Sequence, residues 1–384
     1  MGVPYSCSTA LERAGRSAEV QGHAVVGTNP VACGWMGVRP RDAMRDAMRD
    51  AMGSGTLDGG RLLRLGRAWA AERLGWNERA RARLDGSRAA LLYYHRVLPE
   101  SIVARDHVEP GMVLTPDRFE AQLDWLQAHF RILPLSEVCE RLATGRRLPP
   151  YACALSFDDG WRDNHDHALP ALARRSLPAT IFVVTRRVGT HGAFWPDEVC
   201  RRLAPLPVAR QRDLVAELLG GSRRGLPREV LLAELKEFDE EERERRLEQL
   251  RGLTEAPPDA GRELMDWEEI ERVAASGIEI ESHGATHAIL TGLPNEAVVE
   301  ELVSSRNTLL ERGLGSHRLL AYPSGAFDAR VQRAAREAGY RAAVTVEPGL
   351  ADAGHDPFAL PRLCVHQGIV GSRAEFLTKI PGAA

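Results

Sequence analysis

Between residues 91 and 346 short apolar runs alternate with amphipathic ones, and this order limits the fold more than any other feature of the chain. The runs at 91–94, 131–134, 152–157, 179–184, 278–281, 318–322 and 341–346 read as strands. Residues 136–143, 165–175, 266–276, 295–312 and 328–338 read as helices. Thr115-Pro116 opens a further helix with an N-cap residue and Pro at N1. Phe119, Leu123, Leu126 and Phe130 give that helix its apolar stripe. Strand–helix alternation over such a length argues for an α/β fold with a parallel sheet. Residues 197–263 interrupt the pattern. They read as a helical insertion whose charged run, 237–251, is a solvated face, closed by Pro257-Pro258.

At 384 residues the chain exceeds the usual single-core limit of about 250–300. The expected division is a poorly ordered N-terminal extension over 1–60, a basic amphipathic helical segment over 61–87, and a catalytic domain over 88–375. Residues 1–60 lack sustained periodicity, apart from three copies of Arg-Asp-Ala-Met beginning at Arg41. Residues 61–88 carry eight arginines against three acids, with Leu62, Leu65, Trp69 and Trp76 near helical spacing. Such a helix either packs across one end of the domain or rests on an anionic membrane surface.

A net charge of −3 gives no reason to expect nucleic acid. Six scattered cysteines without a CxxC pair suggest neither a disulfide frame nor a thiolate metal site. No apolar run approaches the roughly 18 residues of a membrane span. The N-terminus lacks the basic-then-apolar order of a secretory signal. The expected location is cytoplasmic, with peripheral contact at the inner membrane face through 61–88.

Two carboxylates stand side by side in Ser156-Phe157-Asp158-Asp159-Gly160, directly after a predicted strand. Like charges this close need a neutralising partner. A divalent metal on one of them leaves the other as a base at neutral pH. His283-Gly284-Ala285-Thr286-His287, also directly after a strand, places two imidazoles four residues apart. One Asp and two His with an open position form a catalytic zinc set. A zinc protease would need Glu where Gly284 stands. Ser156 lacks the GxSxG surroundings of a nucleophile and reads as strand packing.

Ser156 to Gly160 and Ser282 to His287 resemble the first two motifs of the polysaccharide deacetylases, carbohydrate esterase family 4. Leu92-Tyr93-Tyr94-His95-Arg96-Val97 resembles the family's first strand, and Leu177 to Val183 the strand after the Asp-Asp motif. Ala321-Tyr322-Pro323-Ser324-Gly325 resembles its third motif, and Leu360-Pro361-Arg362-Leu363 the ending of one bacterial branch. The resemblance covers roughly 88–375. It implies a distorted, incomplete (β/α) barrel with its ligands at the C-terminal ends of the strands. It implies a divalent metal, zinc first, on Asp159, His283 and His287, with Asp158 as general base. The implied reaction takes an N-acyl group, acetyl first, from an amino sugar in a glycan or lipid-linked precursor, leaving an amine. A backbone N–H near Tyr322 would meet the oxyanion.

Two positions depart from the family pattern. Its third motif usually opens with an Arg that steadies the base, and none stands there; Arg362 is the substitute. Its late Leu-x-His supplies the general acid, yet Leu363 and His366 are one residue too far apart. In a strand Arg362, Cys364 and His366 share a face, so His366 is one candidate acid and His95 the alternative. His95, Trp195 and Pro323 are the expected substrate contacts, Phe194-Trp195 as a sugar-stacking wall or a hydrophobic lid. Two other functions compete: another amide hydrolase on this fold, such as a deformylase or ring-opening amidohydrolase, or a glycan-binding module without catalysis.

Overall fold

The computed structural model describes residues 66–67, 70, 74–75, 79, 81–109, 111–191, 194–367 and 373–380. The expectations for 1–60, and for the greater part of 61–87, lie outside the described residues.

The chain opens its domain with β1 (Arg88–Tyr94), β2 (Arg96–Val97), α1 (Glu100–Asp106), β3 (Val113–Leu114) and α2 (Pro116–His129). β4 (Arg131–Ile132), α3 (Leu135–Ala143), β5 (Ala152–Phe157), α4 (Leu169–Arg174) and β6 (Thr180–Val183) follow. The insertion supplies α5 (Trp195–Leu203), α6 (Val208–Leu218), α7 (Pro227–Glu237) and α8 (Glu240–Leu253). The alternation resumes with α9 (Trp267–Ala275), β7 (Glu279–Ser282), α10 (Asn295–Glu311), β8 (Leu319–Ala321), α11 (Ala329–Glu337) and β9 (Ala342–Val344). β10 (Ala351–Asp352), β11 (Leu363–Cys364) and α12 (Arg373–Lys379) end it.

β1, β5, β6, β7, β8 and β9 lie side by side, all parallel, within a nine-stranded sheet. One edge of β5 is shared: Ala152 and Cys153 face β4, while Ser156 and Phe157 face β6. The seam between β9 and β1 is filled by the chain around β10 and β11. Val344 bridges to Leu360, and Leu363 and Cys364 pair with Leu92 and Tyr93. β10 runs antiparallel to the start of β1. The result is a distorted, incomplete (β/α) barrel.

Strand alternation sorts the core into two layers. Ala89, Leu91, Ala154, Phe182, Leu319 and Ala321 face inward and pack on α3 through Leu135, Val138 and Leu142. Leu92, Tyr94, Leu155, Phe157, Ile181 and Ile280 face outward beneath α2 and α9.

The expected helix over 165–175 divides in two. The Leu169 N–H bonds to the Asn164 carbonyl five residues back, making a wide turn before α4. Pro170 has no N–H to continue an α-helical ladder there. The insertion has its own core, from Val199 and Leu203 to Leu247 and Leu250. Buried ion pairs of Arg201 and Arg96 with Glu263, and of Arg96 with Asp163, tie it to the barrel. Among the described residues no helix is long and apolar enough to cross a membrane.

Candidate active site

β5 and β7 end at the same mouth of the barrel, separated only by β6. β5 delivers Asp158 and Asp159. Asp159 takes φ 77° and Gly160 φ 76°, so the chain turns sharply off the strand. A Cβ at residue 160 would meet Val183 Cγ1 at 3.0 Å, which suits only glycine beside β6. β7 delivers His283, and a loop carries His287 to the same place. Glu301 on α10 pins that loop, accepting from the Ala285 N–H at 3.0 Å, the Thr286 N–H at 2.9 Å and Thr286 Oγ1 at 2.9 Å.

Asp159 Oδ1 lies 3.3 Å from Nε2 of His283 and 3.3 Å from Nε2 of His287. Its Oδ2 accepts from Trp161 Nε1 at 2.8 Å. His283 Nδ1 is 2.8 Å from the Ala321 carbonyl, which can only accept, so Nδ1 carries the proton. In the neutral ring, the form that can bind a metal, His283 Nε2 turns a lone pair on Asp159 Oδ1, itself buried without a hydrogen-bond partner. The three donor atoms lie within 4.8 Å of one another. Facing lone pairs in a buried site call for a cation between them. Two imidazoles and one carboxylate fit a divalent metal. The carbonyl on Nδ1 fixes the tautomer, as such second contacts do at metal sites.

Asp158 faces a different partner. Arg362 Nη1 and Nη2 donate to its two oxygens at 2.8 and 2.7 Å, and Arg362 Nε donates to the Thr345 carbonyl at 2.9 Å. The guanidinium lies 4.3 Å from the Tyr93 ring centre. Burial raises the Asp158 carboxyl, but Arg362 outweighs it and holds the group below its usual range. Ser156 Oγ donates to the Leu92 carbonyl and accepts from Arg362, a packing role.

A cavity of about 360 Å³ opens over both groups. His95, Tyr322 and His366 line it, with Phe194 and Ser324. His95 is lowered by burial, against the pull of Asp159 and Asp158. His366 is pushed down to about 4, by burial and then by Lys379.

Three expectations need correction. Trp195 does not line the cavity; it packs on the insertion's core, with Arg243 5.8 Å from its ring centre. Phe194, one residue before α5, turns the other way and sets its ring 4.8 Å from that of His287. Pro323 is buried outside the cavity lining, whereas Tyr322 and Ser324 reach it. The Tyr322 N–H is spent on the Val344 carbonyl at 3.3 Å, so the sheet takes the donor expected for an oxyanion. Ser324, at φ 55° and ψ 10°, bends the chain at the cavity wall instead. Sequence reasoning also missed Glu301, Trp161 and the wall residues Glu109, Asp197 and Lys236. Only Trp161 carried a signal, its place beside the Asp pair.

A family model described as polysaccharide deacetylase matches residues 145–343. The chain is 23% identical over 255 residues to YxkH of Bacillus subtilis (strain 168), covering 66% of this chain and 66% of that protein. Over 121 residues it is 27% identical to the poly-beta-1,6-N-acetyl-D-glucosamine N-deacetylase of Staphylococcus epidermidis, covering 29% of this chain and 42% of that protein. The chain thus spans at most 66% of the length of either curated relative. In fold it resembles IcaB from Ammonifex degensii, with TM-score 0.52, 20% identity, and coverage of 78% of this chain and 99% of that one. The Streptococcus pyogenes deacetylase PplD gives TM-score 0.51, 17% identity, and coverage of 76% and 98%.

Proposed function

Because the chain belongs to the polysaccharide deacetylase family, we propose that it is a metal-dependent hydrolase removing the N-acyl group, acetyl first, from an amino sugar of a glycan or glycan precursor. One observation carries this reading. Asp159, His283 and His287 converge beside an Asp158 already held by Arg362, on the wall of one cavity. The substrate class is supported by the name of the Staphylococcus epidermidis relative.

Asp159, His283 and His287 would hold a divalent cation, zinc on the strength of the donor set. Bound there, it supplies Lewis acidity toward an amide carbonyl and a water molecule. Asp158 takes the proton of the attacking water, and Arg362 keeps it ionised and aimed. The Ser324 N–H replaces that of Tyr322 as the donor to the developing oxyanion. The leaving nitrogen takes a proton from His95. Burial lowers both imidazoles, but only His95 is drawn back up by Asp159 and Asp158, while His366 is pushed down to about 4. Amide and water become amine and carboxylate.

Mass spectrometry of N-acetylated amino-sugar oligomers and lipid-linked amino sugars, incubated with metal-loaded protein, tests this. Loss of acetyl groups is expected, and chelation should abolish it. Equal activity in the stripped protein would overturn the mechanism. A separate part of the proposal is reversible attachment to an anionic membrane surface through the arginines of 61–88. Its support is the charge pattern alone, and salt-dependent co-sedimentation with anionic vesicles tests it.

A further inference from the structure

One wall of the cavity is built by segments that lie outside the barrel. The stretch between α1 and β3 contributes Glu109 and Met112; the insertion contributes Phe194 and Asp197, and Lys236 from the last turn of α7. Lys236 is the only Lys or Arg side chain among the described residues lining the cavity. Its Nζ stands 3.7 Å from Glu109 Oε1, close enough for attraction but longer than a hydrogen bond. The Glu109 N–H donates to Asp197 Oδ1 at 3.2 Å, and Asp197 is 2% exposed. The acidic partner is thus fixed by its backbone, while the Lys236 side chain is 43% exposed and free to adjust. Burial pushes the Glu109 carboxyl up to about 7, against the pull of Lys236, as expected of a carboxylate short of donors.

An acceptor and a donor side by side match two neighbouring hydroxyls of a sugar ring, one donating to the carboxylate and one accepting from the ammonium. A volume of about 360 Å³ lies at the small end of ligand sites and suits one or two sugar units. We propose that Glu109 and Lys236 are specificity-determining residues that bind adjacent hydroxyls of the amino-sugar ring whose N-acyl group is cut. This rests on the amino-sugar reading above and makes the helical insertion a recognition element.

Steady-state kinetics of the full, metal-loaded chain test the pair. Glu109→Gln and Lys236→Met are compared on an N-acetylated amino-sugar oligomer and on para-nitrophenyl acetate, which has no sugar. The expected result is a kcat/KM loss of about 10- to 100-fold on the sugar, mostly in KM, for each lost charge-assisted contact. The loss on the ester should be at least about tenfold smaller. The exchanged pair Glu109→Lys with Lys236→Glu should recover part of the loss. Equal losses on both substrates, a loss confined to kcat, or unchanged sugar kinetics would each overturn the proposal. Lys236, being half-exposed, carries the test even if Glu109→Gln fails to fold. A wild-type chain that cleaves the ester and no amino sugar would instead overturn the function, and this wall with it.

Discussion

Arg362 grips Asp158 through two hydrogen bonds, 2.8 and 2.7 Å, across 204 residues of sequence. Both side chains are almost fully buried, at 0% and 3% exposure. Arg362 stands in the segment that closes the seam between β9 and β1, so barrel closure and orientation of the base are one event. Removing a single partner of a buried ion pair strands the other charge. Arg362→Met should therefore lower folding stability by about 3–5 kcal/mol. Combining it with Asp158→Asn should restore a large part, as denaturant unfolding of both variants and the double variant would show. Strictly additive losses would mean that the pair is not coupled.

Asp158→Asn alone should separate base from ligand. Metal content by elemental analysis should stay near that of the wild type. Hydrolysis should fall by about 10²- to 10⁴-fold, the usual contribution of a general base. A collapse in bound metal would exchange the roles of Asp158 and Asp159.

His95 and His366 make opposite predictions about the alkaline limb of the pH–rate profile. A general acid must be protonated to act, so activity falls as pH rises through its pKa. His366, pushed down to about 4, is neutral across the working range. His95→Gln should erase the alkaline limb and lower kcat. His366→Gln should leave the limb in place. The reverse pattern, read from kcat between acid and alkaline pH, would make His366 the donor.

Glu269 tests the fold away from the cavity. It closes the capping box of α9 with Asp266 and pairs with Arg262 at 2.6 Å. Burial raises its carboxyl, but the Arg262 hydrogen bonds and the Asp266 N–H outweigh this and bring it to about 2. A folded value below the unfolded one of about 4.3 means stabilisation above that pH, lost as pH falls through about 2. Glu269→Ala should lower stability at pH 7 by about 1–2 kcal/mol and shrink the acid-side slope. An unchanged Tm at pH 7 would show that the box adds nothing.

The chain's local patterns were enough for the six core strands, the helices between them and the two metal-motif segments at strand ends, but not for β2, α1, β3, β10 or α12. Residues 152–157 form β5 over those very residues. Asp158 follows β5 and His283 follows β7, because periodicity and turn residues are properties of neighbours in sequence. What the tertiary structure decided lies in contacts between distant segments. Arg362 was one candidate partner for Asp158 until the seam brought it there. The Tyr322 N–H was a free donor in sequence, and β9 took it. Phe194 and Trp195 were interchangeable as a stacking wall until the first turn of α5 sent Trp195 into the insertion's core. Glu301, Glu109 and Lys236 carried no local signal, since their partners at Ala285, Asp197 and each other lie in separate segments. A hydrogen-bond partner is chosen by where folding leaves the chain, and adjacent residues do not record that choice.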